Sequence, residues 1–187
     1  PSAPLFFWGE DDHDRYLDSY FGMFPGIWAQ GDLAEQTPRF GFYVKGRSDS
    51  TLNPGGVRIG TGDYYDILQF VEEVQDSIVV GQRQPDGNER VILFVQLKGG
   101  RMINQALTDK IQATIRKHLS ARHRPSVIAQ VSGVPVNVNG KKMEKLVKKL
   151  SNADPVAPSE ISSLKNPECM PEFLQKNWNT GLLNSRL

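Results

Sequence analysis

The pattern of hydrophobic and polar positions divides the 187-residue chain into three parts. Residues 1–46 contain short apolar runs, PLFFW, FPGIWAQGDL and RFGFYVKG, which are separated by turn-forming residues such as Pro-Gly and Gly-Asp. Such runs predict strands joined by turns, and only the stretch near Asp14–Phe21 has helical spacing. Because a segment this short buries little surface by itself, we expect residues 1–47 to be the β-rich end of a preceding large domain.

From Arg47 onward the pattern predicts a small α+β domain over residues 48–150. Ser77–Val80, Val91–Leu97 and Val127–Val131 are predicted strands, and QPDGNE between the first two predicts a hairpin turn. Apolar residues at helical spacing predict three helices, with stripes formed by Tyr64, Ile67, Leu68 and Val71, by Leu107, Ile111, Ile115 and Leu119, and by Met143, Leu146, Val147 and Leu150. Helices that alternate with a few strands predict a small sheet with helices packed on it.

After Ser151 the composition shifts to Pro, Ser, Asn and Glu, and the periodicity fades. We therefore expect residues 151–187 to form a loosely packed carboxyl-terminal extension. The single cysteine, Cys169, lies in this polar stretch and is expected to be an incidental thiol. One cysteine excludes an internal disulfide and fits a reducing compartment such as the cytosol.

Composition narrows the class of protein. With 39% hydrophobic and 23% charged residues the chain has the composition of a soluble globular protein. The net charge of +1 argues against a domain built mainly to bind nucleic acid. No apolar run approaches the roughly 20 residues that span a bilayer. The opening PSAPLFFW lacks both the basic region of a signal peptide and an initiator methionine, so we expect the chain to be cut from a longer one.

Common catalytic motifs are missing from the sequence. The three histidines, His13, His118 and His123, have no metal-ligand spacing with Cys169 or with each other, so no metal site is predicted. GKKM does not fit the phosphate-binding loop pattern, and no Gly-x-Ser-x-Gly elbow is present.

Five lysines lie between Asn137 and Lys149, and three interpretations of them are open. Lys145, Lys148 and Lys149 oppose the apolar stripe of the last helix and are expected to form a solvated face. A basic amphipathic helix could instead bind a membrane or nucleic acid, although the near-neutral net charge weakens that reading. Lys141 differs because it precedes the stripe, on an Asn-Gly loop that could carry it into another domain's cleft.

Three further polar residues stand beside glycines. Asp32 follows Gly31 at a strand end, where a carboxylate can accept hydrogen bonds from two vicinal hydroxyls, as on a ribose. Arg47 and Arg58 follow in the glycine-bearing segments GRSDSTLN and NPGGVRIG. Taken singly, these are also an ordinary turn aspartate and two surface arginines.

The order of five segments, YFGMFPGIWAQGD, GRSDSTLNPGGVRIG, ERVILF, LSARHRPS and NGKKMEKLVKK, resembles the carboxyl-terminal part of the adenylate-forming enzymes, the acyl-CoA synthetase superfamily. The resemblance covers most of the chain and fades in the last few dozen residues. It implies the mobile carboxyl-terminal α+β domain of these enzymes. The residues that match the family's functional positions are Lys141 for adenylation, Asp32, Arg47 and Arg58 for ATP or AMP binding, Asp49 for the hinge, and Gly55, Gly56 and Arg116 for coenzyme A.

The chain departs from the family pattern at three positions. Gln30 stands where the family usually has Thr or Ser, and Asp63 stands where most relatives have glutamate. Lys142 replaces a residue that is usually apolar, which makes it a competitor for the adenylation role. Only Lys141, however, follows the glycine as the family's lysine does.

The resemblance also implies an activity. The parent enzyme would use ATP, Mg²⁺ and coenzyme A to activate a carboxylic acid, with acetoacetate as the expected acid and acetate or propionate as the alternative. Without the phosphate loop and acyl pocket of the amino-terminal domain, its expected partner, we expect the chain to be inactive alone, with no ligand bound. A third alternative is a non-enzymatic basic module that binds an acidic partner through Lys145, Lys148 and Lys149.

Overall fold

The computed structural model describes residues 4–9 and 12–174. The chain divides into two compact units, Pro1–Ser48 and Asp49–Leu187. The division lies one residue beyond the boundary expected from composition. Each unit has its own sheet.

The first unit contains one helix and one strand pair. Helix α1 spans Asp12–Phe21, and strands β1, Asp32–Gln36, and β2, Phe42–Arg47, pair in antiparallel fashion. None of the hydrophobic residues described in this unit is buried.

The expectation that the first two apolar runs form strands is wrong. Residues 4–8 form no strand, and the ring of Phe7 packs edge-on against Tyr16 and Tyr20 of α1, with centroids 5.7 and 5.8 Å away. Residues 24–31 form turns and irregular backbone, so Asp32 begins a strand instead of following one.

The second unit is built on a three-stranded sheet in the order β3-β4-β5. Strands β3, Val74–Arg83, and β4, Glu89–Leu97, form an antiparallel hairpin, and β5, Val127–Gln130, pairs with β4 in parallel. The parallel pairing requires a crossover, which helix α3, Gln105–His118, supplies. Asn104 caps α3 because its side chain accepts a 2.9 Å hydrogen bond from the Leu107 N–H. All three predicted strands are confirmed.

Helices cover both faces of this sheet. Alternate residues of a strand point to opposite faces, so Val79, Leu93 and Val95 pack against α2, Thr61–Leu68, and α3. Their neighbours pack against helix α4, Glu144–Ser151, and the segment that follows it, which includes the short helix α5, Pro158–Ser162. The predicted α+β architecture is therefore confirmed.

The expectation of a loosely packed tail is wrong for residues 151–174. Leu164, Cys169, Met170 and Phe173 are buried in the same core as α4, and the ring of Phe173 meets that of Phe94 edge-on at 4.8 Å between centroids. Burial raises the pKa of the Cys169 thiol to about 11, so the thiol stays protonated at neutral pH. Cys169 is thus a core residue. The rest of the predicted extension, residues 175–187, lies outside the described residues.

Among the described residues, no helix combines the length and the apolar character that crossing a bilayer requires.

Candidate active site

Lys141 lies on a tight hairpin, residues 135–143, here called the lysine hairpin. Its two arms are joined by hydrogen bonds of 2.9 Å from Asn137 N to Lys141 O and from Met143 N to Pro135 O. The turn is closed by Gly140, whose φ of +77° is unfavourable for a residue with a Cβ. The Asn137 side-chain oxygen accepts a further hydrogen bond from the Lys141 N–H at 2.9 Å. The backbone of Lys141 is therefore fixed while its side chain is exposed.

The two consecutive lysines of this hairpin have different environments. The ammonium of Lys142 lies 2.6 Å from the Asp76 carboxylate and donates a 2.7 Å hydrogen bond to the Ser77 carbonyl oxygen. It also lies 4.1 Å above the centre of the Tyr65 ring. No carboxylate or hydrogen-bond acceptor of the described residues pairs with the Lys141 ammonium. Of the two lysines, Lys141 is thus the one available to an external anion.

The segment after α5 supports the outer arm of the hairpin. Lys165 N donates to Val136 O at 2.9 Å, and the Asn166 side-chain oxygen accepts from Val136 N at 3.0 Å. An isolated antiparallel bridge also joins Asn137 and Leu164. Residues assigned to the tail by sequence therefore help to fix the position of Lys141.

The three lysines of α4 are not one solvated face, as their helical spacing predicted. Lys148 pairs with Glu89 at 3.3 Å and Lys149 with Glu160 at 2.7 Å, and both side chains are less than one third exposed. Lys145 alone is exposed. Two of the three charges are thus neutralised within the unit, which weakens the case for a basic binding surface.

In the first unit, Asp32 and Arg47 face each other across the β1–β2 pair. The Arg47 Nη1 lies 3.5 Å from Asp32 Oδ1 and donates a 2.7 Å hydrogen bond to the Gln30 carbonyl oxygen. The guanidinium packs against Gly31, where an added Cβ would approach Arg47 Nη2 to 3.0 Å. The structure thus brings together Asp32 and Arg47, two of the residues that the family resemblance assigns to ATP or AMP binding.

Asp49 lies at the division between the two units. Ser48 is held in the first unit, because its N–H and its hydroxyl both donate to the Gly31 carbonyl oxygen, at 2.8 and 3.0 Å. Ser50 is buried in the second unit, whereas Asp49 between them is exposed. One exposed residue therefore separates two anchored neighbours.

The glycine-bearing loop is a hairpin whose ends, Leu52 and Ile59, are buried and paired. At its tip Gly55 and Gly56 have φ of +58° and +83°, with no heavy atom within 4 Å of an added Cβ. Arg58 is exposed on the same loop. The backbone at the tip of the loop is therefore accessible to a ligand, since no side chain covers it.

Glu89 connects this loop to α4. Its carboxylate accepts a 2.7 Å hydrogen bond from Asn53 N, lies across Gly81 of β3 and pairs with Lys148. A Cβ at Gly81 would come within 2.0 Å of the Glu89 carboxyl carbon. The sequence predicted none of these three contacts, and Asn53 and Lys148 are far from Glu89 in the chain.

Arg116 is exposed near the end of α3 and lines an open groove with Gln112 and Arg124. Two guanidinium groups and one carboxylate, that of Asp109, line the groove, and this positive excess favours an anionic ligand there. The structure does not bring Arg116, Arg58 and Lys141 together on one element. The three lie on separate segments of the second unit.

Within residues 4–9 and 12–174, no group of three or more His, Cys, Asp and Glu side chains could hold a metal ion.

Comparisons with known proteins found a matching family, similar sequences and similar structures. The family described as AMP-binding enzyme C-terminal domain matches residues 66–141. A solved structure of acetoacetyl-CoA synthetase from Streptomyces lividans superposes with a TM-score of 0.81 and 36% sequence identity, over 94% of this chain and 26% of that one. Two curated relatives are acetoacetyl-CoA synthetase from Gallus gallus, 42% identical over 91% of this chain, and malonamoyl-CoA synthetase vrtB from Penicillium aethiopicum, 40% identical over 89%.

The chain belongs to the adenylate-forming enzymes and contains their carboxyl-terminal domain. Within that class it is similar to the acetoacetyl-CoA synthetases along nine tenths of its length. It spans about a quarter of the length of the curated relatives that it matches.

Proposed function

We propose that this chain is the carboxyl-terminal part of an AMP-forming acid–thiol ligase that converts acetoacetate, ATP and coenzyme A into acetoacetyl-CoA. Similarity at 42% identity to an acetoacetyl-CoA synthetase over 91% of the chain is the main support for the class of reaction. The observation that carries the mechanism is the exposed ammonium of Lys141, which pairs with none of the described residues and lies on a hairpin with a fixed backbone.

In the first half-reaction, a carboxylate oxygen of acetoacetate attacks the α-phosphorus of ATP. A new O–P bond forms, the bond from that phosphorus to the bridging oxygen of pyrophosphate breaks, and acyl-adenylate and pyrophosphate result. Mg²⁺ enters with ATP as part of the substrate. Two anions meet in this step, so an ammonium beside the reacting oxygens lowers the barrier most where water is excluded. We assign this role to Lys141.

The nucleotide is assigned to residues of both units. The Asp32 carboxylate would accept hydrogen bonds from the ribose hydroxyls, while Arg47 holds the Gln30–Gly31 turn beside it. Arg58, exposed on the glycine-bearing loop, would approach the phosphates. The amino-terminal domain would supply the phosphate loop and the acyl pocket, so the chain by itself is proposed to be inactive.

In the second half-reaction, the coenzyme A sulfur attacks the acyl carbonyl carbon. A C–S bond forms, the C–O bond to AMP breaks, and the thiol proton is released. We propose that the second unit turns about Asp49 between the two steps, which withdraws Lys141 and brings Gly55 and Gly56 to the pantetheine. Arg116, with Arg124 beside it in the groove, would hold the phosphates of the coenzyme A nucleotide.

The location proposed for the parent enzyme is the cytosol. A single cysteine in the whole sequence, Cys169, fits a reducing compartment. Neither nucleic acid nor membrane is proposed as a partner, because Lys148 and Lys149 are already paired with carboxylates.

Steady-state assays of the full-length enzyme test the proposal, with acetoacetate, malonamate, acetate and propionate compared at equal concentration. We expect AMP and a CoA thioester to form in equal amounts, with the highest kcat/KM for acetoacetate. A preference for acetate, propionate or malonamate would agree with the proposed ligase reaction but would overturn acetoacetate as its acid substrate. No acid-dependent AMP release with any of the four would overturn the ligase assignment, and thioester formation by the isolated chain would overturn its proposed inactivity.

A further inference from the structure

Lys142 is the second lysine of the lysine hairpin, and its ammonium has contacts that the Lys141 ammonium lacks among the described residues. Its side chain reaches from the lysine hairpin to the first strand of the sheet, where Asp76 Oδ1 lies 2.6 Å and the Ser77 carbonyl oxygen 2.7 Å from the ammonium. Its side chain is only 27% exposed. These contacts attach the lysine hairpin to strand β3.

The face of the Tyr65 ring supplies a third contact, 4.1 Å from the Lys142 ammonium to the ring centre. That ring is itself fixed, since the Tyr65 hydroxyl donates a 2.6 Å hydrogen bond to Glu144 and accepts one of 3.3 Å from Val79 N. Burial, followed by the nearby Glu144 carboxylate, raises the pKa of this hydroxyl well above its usual value, so it remains a neutral donor. The ammonium thus enters a preformed site with two acceptors and an aromatic face.

Successive side chains of extended backbone point to opposite sides. Lys142 pairs with Val136 in an antiparallel bridge and directs its side chain toward β3. The side chain of Lys141, one residue earlier, therefore points away from β3. With an apolar side chain at residue 142, neither Asp76 nor the Ser77 carbonyl would have this partner, and the arm of the hairpin would lose its charged attachment. The bond network also removes the second ammonium from competition for an anion at the tip.

We infer that Lys142 is a positioning residue: its attachment to Asp76, Ser77 and Tyr65 sets the direction of the Lys141 side chain for the adenylation step. The inference rests on the proposed function, because it takes Lys141 as the group that meets the nucleotide. It concerns a different residue, which itself touches no substrate. Loss of the attachment should therefore slow only the step that uses Lys141.

The test compares variants of the full-length enzyme in two separate half-reactions. Acid-dependent ATP–pyrophosphate exchange reports adenylation, and thioester formation from chemically prepared acyl-adenylate and coenzyme A reports transfer. Lys142→Met keeps an unbranched side chain, one heavy atom shorter, and removes its charge. We expect it to lower kcat for exchange about ten- to a hundredfold, as a misplacement of about 1 Å can do, with the KM for ATP and the transfer rate changed less than about threefold.

Two further variants separate positioning from stability. Lys142→Arg keeps a charged donor for Asp76 and Ser77 and should recover much of the exchange rate. Lys110→Met breaks a comparable ion pair with Glu73, 2.8 Å long, which joins groups other than those that hold Lys142, and should leave both half-reactions unchanged. Thermal unfolding of each variant shows that it is folded.

The outcomes distinguish the inference from the proposed function. Normal exchange in Lys142→Met, equal losses in both half-reactions, or no recovery in Lys142→Arg would overturn the positioning role. If Lys141→Ala leaves exchange normal, the assignment of Lys141 fails as well. If Lys141→Ala abolishes exchange while Lys142→Met does not affect it, only the inference about Lys142 fails.

Discussion

Asp32 and Arg47 stand opposite each other in the antiparallel register of β1 and β2, with Arg47 Nη1 3.5 Å from Asp32 Oδ1. The same guanidinium donates to the Gln30 carbonyl oxygen, so it fixes the turn that leads into Asp32. A carboxylate at the first residue of a strand, beside a turn held in place, is well suited to accept two hydrogen bonds from a ribose.

Asp32→Asn in the full-length enzyme should therefore raise the KM for ATP about ten- to a hundredfold, since hydrogen bonds to charged groups contribute about 1.5–3 kcal/mol. Exchange kinetics at varied ATP measure this. Glu35→Gln, a carboxylate change in the same strand, is the matched control and should leave the KM for ATP unchanged. Equal effects of the two variants would contradict the assignment of Asp32 to the ribose.

Gly56→Ala tests the assignment of the glycine-bearing loop to coenzyme A. Gly56 has φ of +83°, and a left-handed conformation costs an L-residue about 1–2 kcal/mol. We expect a slower transfer of the acyl group to coenzyme A, because the loop tip changes shape, and a normal ATP–pyrophosphate exchange. Both half-reactions are measured as above.

Gly87 supplies the control for that substitution. It has φ of +82° and equally open surroundings, but lies in the turn between β3 and β4. Gly87→Ala should cost similar stability and leave acyl transfer unchanged. A transfer defect of the same size in both variants would mean that backbone strain, not the coenzyme A contact, is responsible.

Phe173→Ala tests whether the described tail belongs to the core. Phe173 is fully buried and meets Phe94, so truncation should lower the free energy of unfolding by about 3–5 kcal/mol. Denaturant unfolding of the 187-residue chain measures this. Met102→Ala, at a side chain that is largely exposed, should change stability little. If Phe173→Ala lowers the free energy of unfolding by less than about 1 kcal/mol, the described tail does not contribute to the core as proposed.

The Lys149–Glu160 pair should contribute stability that depends on pH. The hydrogen bond from Lys149, followed by that from Ala157 N, lowers the pKa of Glu160 below its ordinary value of 4.5. A depressed carboxyl pKa stabilises the fold above the unfolded-state value, and this contribution is lost as the pH falls through the folded-state value. Glu160→Gln should thus lower stability at pH 7 by up to about 1 kcal/mol and have no effect in strong acid.

Denaturant unfolding of wild type and Glu160→Gln at both pH values measures the difference. Lys149→Gln is the matched control, because it removes the same pair from the other side and should reproduce the loss at neutral pH. A difference that is the same at both pH values would rule out the ion pair as its cause.

Sequence periodicity correctly predicted the regular strands and helices of the second unit. In these elements the buried side chains recur with a period of 2 in a strand or 3.6 in a helix. Val79 and Val80 of β3 point to opposite faces of a sheet covered on both sides, and Leu107, Ile111 and Ile115 form the buried stripe of α3. In a regular helix or strand, the spacing of apolar residues in the sequence shows which face is buried.

The tail and the environment of Lys142 were not predicted, for a physical reason. Cys169 and Phe173 lie in short 3₁₀ turns and irregular backbone, which have no sustained period, so their burial leaves no pattern in the sequence. Lys142 and Asp76 are brought together only when the lysine hairpin packs on β3. Adjacent lysines in a sequence look alike, and only the fold distinguishes the attached one from the exposed one.

The role of Lys141 is tested most directly by Lys141→Ala in the full-length enzyme, with the two half-reactions measured separately. Removing a charge that is proposed to act only on the transition state of adenylation should lower ATP–pyrophosphate exchange at least about a hundredfold and leave transfer from preformed acyl-adenylate within about threefold. Lys145→Ala, which removes an exposed lysine four residues further along, should leave both rates normal. Normal exchange in Lys141→Ala, or equal losses in both half-reactions, would contradict the account.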